Sequence, residues 1–154
     1  IVKFFKSENP ELREAAVTTL SYLNQVQRCP PVLKLMQDSD GSVRRATALT
    51  LGHLADEEAI ALLTQALTTD PDWQVRRNAA KSIFIHAKPS IIFAVEKALK
   101  DEHWQVRKSA IQVLQKIPDA RLLSTLIQTL ADEYSDVRKE AAIALGNLGN
   151  SDAI

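Results

Sequence analysis

Several things are scarce in this 154-residue chain, and each scarcity closes off a class of protein. Cysteine occurs once, as Cys29, so no internal disulfide can form and a reducing compartment is expected. Four glycines and six prolines suit helices joined by short turns. No apolar run approaches the roughly 18 residues that span a bilayer. No secretory leader is visible either, so a cytoplasmic setting without a membrane partner is expected. Neither sign of charge dominates: Lys plus Arg and Asp plus Glu number 19 each. A dedicated nucleic-acid binder carries a basic excess, so nucleic acid is not the expected ligand. Signatures of catalysis are missing too. His53, His86 and His103 sit in no HExxH and no His-Glu dipeptide, there is no CxxC, and there is neither a phosphate-binding glycine loop nor a GxSxG. The sequence therefore points to no catalytic residue, no metal and no cofactor.

What the chain does have is repetition. "WQVRRNA" begins at Trp73 and "WQVRKSA" at Trp104. Aligned on an apolar-Arg pair, the sequence yields Leu12-Arg13, Val43-Arg44, Val75-Arg76, Val106-Arg107 and Val137-Arg138, at intervals of 31, 32, 31 and 31 residues. Counted from the first residue of the pair, apolar or small residues recur at +4, +5, +8 and +11, one face of an α-helix. A second apolar segment with helical spacing precedes four of the pairs, at 30–37, 58–68, 89–100 and 120–131. The unit is two helices in about 31 residues, and such periods signal stacked repeats. Units are expected at about 1–27, 28–55, 56–87, 88–117 and 118–149, within one domain. "IVKFF" reads as the tail of a first helix and "NSDAI" (150–154) as the start of another unit, which suggests a segment of a longer superhelix.

The prolines lie at or just before expected helix starts, where a missing N–H costs nothing. Asn9, Asp40 and Asp72 stand three residues before their pairs as N-caps. His103 and Tyr134 hold the equivalent sites, so a neighbouring Asp or Ser is expected to cap in their place. An Asp also stands six residues before the Arg in four units: Asp38/Arg44, Asp70/Arg76, Asp101/Arg107 and Asp132/Arg138. The first unit has Ser7 before Arg13. Stacking would line these groups up as a structural ladder, each Arg meeting carboxylates of its own and an adjacent unit.

On these features the chain resembles HEAT repeats, in the short form associated with phycobilin lyases. The matching stretches are the Asp-x5-Arg ladder, the helix of Val137 to Gly149 and "DEEAIALL" (56–63). The resemblance implies an all-α fold, an α-solenoid wound as a right-handed superhelix of about five stacked helical hairpins. His86 replaces the usual apolar residue at +11, and Phe84 and Gln115 the glycine at +9, so the third and fourth units are expected to be reshaped. Deoxyhypusine hydroxylases are also HEAT proteins, but they bind di-iron through His-Glu pairs, and none is present.

In this family the ladder-bearing helices line the concave face. Position +2 reads Glu14, Arg45, Arg77, Lys108 and Lys139, and Lys81 (+6) and Lys116 (+10) lie beside that row. This basic stripe, with Trp73 and Trp104 two residues before their pairs, is the candidate binding surface. The expected function is a non-enzymatic protein-interaction scaffold whose partner presents an acidic surface. The alternatives are a phycobilin lyase-type subunit that attaches or removes an antenna chromophore, and a sensor or nucleic-acid-binding array of a larger protein. Cys29 and His86 read as packing or edge residues.

Overall fold

The computed structural model describes residues 1–23, 29–54 and 56–151, the side chains of 150 and 151 excepted. Arg28, the cationic neighbour of Cys29, and most of "NSDAI" lie outside the described residues. Among the described residues there are nine α-helices and no strand. They are α1 (Pro10–Ser21), α2 (Pro30–Leu33), α3 (Gly41–Leu51), α4 (Glu57–Thr69), α5 (Trp73–Ile85), α6 (Ile92–Ala98), α7 (Trp104–Leu114), α8 (Leu123–Thr129) and α9 (Ser135–Ser151). The chain is an all-α solenoid of helical hairpins. It gathers into two compact units, Ile1–His86 and Ala87–Ile154, and the boundary falls at a repeat junction.

Each hairpin has a short first arm and a long second helix. Only α4 is an unbroken first arm; elsewhere a 3-10 segment replaces or extends the helix, at Val2–Lys6, Lys34–Gln37, Pro89–Ile91 and Ala120–Leu122. Tight i to i+3 bonds close these turns, as in Ile91 N–H to Lys88 O (3.2 Å) and Leu122 N–H to Asp119 O (2.9 Å). The second helices α1, α3, α5, α7 and α9 start on the expected caps in three cases. Asn9, Asp40 and Asp72 accept from the amides of Glu11, Ser42 and Gln74 at 2.8–2.9 Å. His103 makes no side-chain cap. Asp101 does not replace it: its carboxylate takes the amide of His103 itself, at 2.9 Å, a turn that every Asp of the ladder makes.

The periodic positions build the core. On α3 and α7 and in the turns that follow them, all five are buried: Val43, Thr47, Ala48, Leu51 and Leu54, and Val106, Ala110, Ile111, Leu114 and Ile117. Each large apolar member contributes roughly 1.5–3 kcal/mol on burial. The pattern weakens on α1 and α9. Leu12 and Leu23 are 47% and 45% exposed, because the hairpin partner of α1 is only the five-residue turn Val2–Lys6. Ala142 is exposed and Leu145 half-buried on the face of α9 that no described element covers. Gly52 lets α3 and α5 approach closely, since a Cβ there would lie 2.7–3.0 Å from Ser82. Ser82 Oγ donates to Ala48 O across this seam at 2.7 Å. His86 is satisfied at the edge, its Nε2 2.9 Å from Gly52 O. Cys29 is buried.

Candidate partner-binding face

The ladder arginines sit one turn into the second helices, and each guanidinium has two working edges. The inner edge binds the turn of its own repeat. Nη1 donates to Ser7 O from Arg13 (2.7 Å) and to Asp38 O from Arg44 (2.8 Å). The same bond runs to Asp70 O from Arg76 (2.8 Å), to Asp101 O from Arg107 (2.9 Å) and to Asp132 O from Arg138 (2.8 Å). The outer edge forks the carboxylate of the following repeat: Arg13 to Asp38 at 2.7 and 2.8 Å, Arg44 to Asp70 at 2.9 and 3.2 Å, and Arg107 to Asp132 at 2.7 and 2.9 Å. The expectation that an Arg meets its own Asp carboxylate is thereby corrected. The own-repeat Asp offers its backbone carbonyl, and its carboxylate serves the preceding Arg and the amide two residues on. Ser7 offers the same carbonyl, but its side chain keeps only the amide bond, accepting from Asn9 N–H at 3.2 Å.

These paired side chains are 7–13% exposed, well below an ordinary surface pair. Charge-assisted bonds of this kind contribute about 1.5–3 kcal/mol, against about 0–1 for an exposed pair. The hydrogen bond from Arg13 holds the Asp38 carboxyl below its usual range. At Asp132 burial works against ionisation, but bonds from Arg107 and from the Tyr134 amide prevail, and its pKa is also lowered. The forked ladder residues are occupied in joining repeats.

The +2 cations differ from one another. Arg45 lies 3.5 Å from the Asp72 carboxylate and also donates to the Gln74 side chain. Lys108 is 2.8 Å from Asp136. Both acids come from the start of the next second helix, at −3 and −1 relative to its pair. Sequence reading missed this because it looked along each helix and not at the opening turn of the neighbour. For Arg77 the same positions of the following repeat read His103 and Gln105, with no acid. Its guanidinium carbon lies 5.4 Å from the centre of the Trp73 ring, Nη2 reaches Asn78 Oδ1 at 3.5 Å, and Nε is buried without a hydrogen-bond partner. An orphaned donor of this kind costs about 1–3 kcal/mol. Lys81, one turn further along α5, is exposed with no carboxylate partner among the described residues. Lys116 and Lys139 are exposed on the second unit.

Within Ile1–His86 the outward positions form a grid of three rows on α1, α3 and α5 and the turns that end them. The +2 row is Glu14, Arg45 and Arg77; the +6 row is Thr18, Leu49 and Lys81; the +10 row is Tyr22, His53 and Ile85. The lower two rows surround a hollow of about 500 Å³ with a mainly apolar wall. Position +3, beside the +2 row, does not share this outward face: Asn78 and Ser109 are buried. Asn78 Nδ2 donates to Arg45 O at 3.2 Å, tying α5 to α3. The second unit is built otherwise. Glu140 accepts from Gln112 at 3.0 Å and from Gln115 at 2.7 Å, so the residue at the glycine position fills the α7–α9 seam with polar atoms. Trp104 stacks on Tyr134 with ring centres 5.5 Å apart, and Arg107 lies over the same tyrosine. Among the described residues no cluster of His, Cys, Asp and Glu is large enough to hold a metal ion, and no helix is long and apolar enough to cross a membrane.

The family signature described as HEAT repeats matches residues 1–83 and 93–154. A bilin biosynthesis protein, MpeU of Synechococcus sp. (strain WH8020), is 36% identical over 81 residues, which are 50% of this chain and 27% of that protein. The CpcE–CpcF complex of phycocyanin lyase from Nostoc sp. PCC7120 superposes with a TM-score of 0.73 at 28% identity, over 94% of this chain and 95% of that one. A designed armadillo repeat protein solved with the peptide (KR)4 has the same fold, with a TM-score of 0.74 at 18% identity over 96% of this chain and 80% of that one.

Proposed function

From its membership of the HEAT-repeat family, in the short phycobilin-lyase type, we propose that this chain is a non-enzymatic protein-binding module that holds an acidic partner on the face of its second helices. One observation carries the reading. Arg77 and Lys81 stand one turn apart on α5 without a carboxylate partner among the described residues, whereas Arg45 and Lys108 are neutralised by acids of the next repeat. A like-signed pair left unneutralised on an open face steers and orients an oppositely charged protein. Lys116 and Lys139 extend the positive surface of the second unit, and Arg45 and Lys108 reach a partner only in exchange for Asp72 and Asp136. Trp73 contributes through its contact with Arg77, and Trp104 through the rim of its stack on Tyr134. The test is affinity capture from the native lysate with the parent chain and an Arg77→Glu/Lys81→Glu variant whose helical circular dichroism is intact. A protein held by the parent and released by the variant is the expected result. Capture indifferent to the reversal would sink the reading.

A second reading is favoured by the relatives. The similarity to a bilin biosynthesis protein and to a phycocyanin lyase complex supports a lyase-type subunit handling an antenna chromophore, with a second HEAT-like chain as partner. The matched stretch spans about a quarter of the bilin biosynthesis protein's length, so that activity stands as a proposal for the whole protein. Titration with free linear tetrapyrroles would show a red-shifted, sharpened bilin band under this reading; unchanged spectra with several bilins would count against it.

A further inference from the structure

We infer that the grid on α1, α3 and α5 reads an extended acidic segment of a partner protein, with a carboxylate side chain between Arg77 and Lys81 and a large apolar side chain two residues along, seated between Leu49 and Ile85. This rests on the protein-binding reading above and specifies the chemistry that reading would use. Three features of the first unit lead to it.

The first is a gap in the charge pattern of the repeat. The stretch that supplies Asp72 to Arg45 and Asp136 to Lys108 reads His103 and Gln105, with no acid, in the repeat that follows Arg77 in sequence, and Arg77 has no carboxylate partner among the described residues. The guanidinium is nevertheless held in place, over Trp73 and against Asn78, so little freedom is lost when a carboxylate arrives. The second is the hollow of about 500 Å³, which has Lys81 on its wall and no acidic side chain. Leu49 and Ile85 are 45% and 52% exposed there, which is apolar surface that a partner side chain would cover. The third is spacing. Lys81 and Ile85 are one turn apart on α5, about 6 Å along the axis. Side chains on one face of an extended segment recur every two residues, about 6.8 Å. A segment lying along α5 therefore presents an acidic residue to Lys81 and, two residues on, an apolar one to Ile85. Glu14, at the opposite corner of the grid, disfavours the register that would move the carboxylate over α1.

Selection of a random decapeptide display library on this chain tests the proposal directly. The expected outcome is enrichment of Asp or Glu two residues from Leu, Ile, Phe or Trp. The best peptide, followed by fluorescence anisotropy, should bind at least tenfold more weakly to Lys81→Glu and to Leu49→Ser, and equally well to Lys97→Glu on α6. Because Lys81 and Leu49 are exposed, both variants should keep the parental melting curve. No enrichment, enrichment of basic or purely apolar peptides, or an affinity indifferent to Lys81→Glu would each overturn the assignment. So would sedimentation showing that a second copy of the chain occupies the grid. A lysate partner that survives while no acidic-x-apolar peptide is selected would retain the protein-binding function and discard this site. Selection of the motif without any lysate partner would do the reverse.

Discussion

Between α3 and α5 the first unit closes its seam with Gly52 against Ser82 and leaves an apolar hollow open above it. Between α7 and α9 the second unit carries Gln115 at the glycine position, and Gln112 and Gln115 together hold Glu140 in the seam. The buried positions of the repeat are nearly the same in both, so the two units stack their helices by the same rules. What differs are the residues at +3, +6, +9 and +10. In the first unit Leu49 and Ile85 stand exposed around the hollow beside Lys81, whereas on α7 Gln112 and Gln115 take the corresponding surface and bind Glu140. The comparison teaches that the repeat writes the fold and its departures write the surface. The face proposed for an apolar-plus-acidic partner lies in residues 1–86, while in the second unit Lys108, one of two +2 cations, is paired with Asp136.

The largest expected effect tests whether the ladder is structural in both units. Arg44 forks a nearly buried Asp70, and Arg44→Ala would strand that carboxylate. A loss of about 3 kcal/mol in urea unfolding is expected. Arg138 makes the same inner-edge bonds, to Asp132 O and Glu133 O, but its outer edge meets no carboxylate among the described residues. Arg138→Ala should leave the unfolding midpoint close to the parent. Equal losses at the two sites would mean that the carbonyl bonds within each repeat, and not the carboxylate forks between repeats, carry the ladder's stability.

The glycine position gives the next contrast, and its sign reverses between units. Gly52→Ala places a Cβ at 2.7–3.0 Å from Ser82, backbone included, and should destabilise by about 1–3 kcal/mol through overpacking. Gly146→Ala, the same repeat position on α9, meets nothing within 4 Å. It should stabilise by about 0.5–1 kcal/mol through helix propensity. Thermal melts of the two variants moving in the same direction would break the claim that Gly52 is packed against α5 while Gly146 faces no neighbour.

Acid should act on the ladder in both units. Asp38 and Asp132 have folded-state pKa values below the unfolded value of 3.8. The folded state therefore binds fewer protons, and the stability from these groups is complete above about pH 4 and is lost as pH falls through the folded pKa. Asp38→Asn and Asp132→Asn should start less stable at neutral pH and show a shallower decline in acid. A slope equal to the parent's in both variants would remove these carboxylates from the acid response.

The repeat, its two-helix unit, the helix faces and the existence of an Arg–Asp ladder were all legible in sequence. They depend on side-chain type at fixed periods, and burial enforces those periods. Leu12 and Leu23 broke the pattern because burial also requires a neighbour, which a heptapeptide motif does not record. The basic stripe was legible only as composition. Its neutralisation by Asp72 and Asp136 depends on which turn of one repeat approaches which residue of the previous one, about 28 residues apart. Arg45, Arg77 and Lys108 looked equivalent at +2, yet only the contact across the seam separates a paired cation from an unpaired one. Glu140 was missed for the same reason, since two glutamines one turn apart become a carboxylate clamp only when the next helix is laid beside them.

The smallest expected effect isolates that distinction. Lys108→Ala removes one half of an exposed pair, and the loss should be slight, visible at low salt and gone once the charges are screened. Lys81→Ala removes a cation with no such partner, so its unfolding midpoint should match the parent at every salt concentration. A charge that contributes nothing to folding stability can still raise the affinity for a partner, and the pair of variants separates the two roles. If Lys81→Ala proved as salt-sensitive as Lys108→Ala, Lys81 would have an internal partner and the surface of the first unit would be as neutralised as that of the second. If it did not, the cation is left on the face at no cost to the fold, which is the condition for it to act on something else.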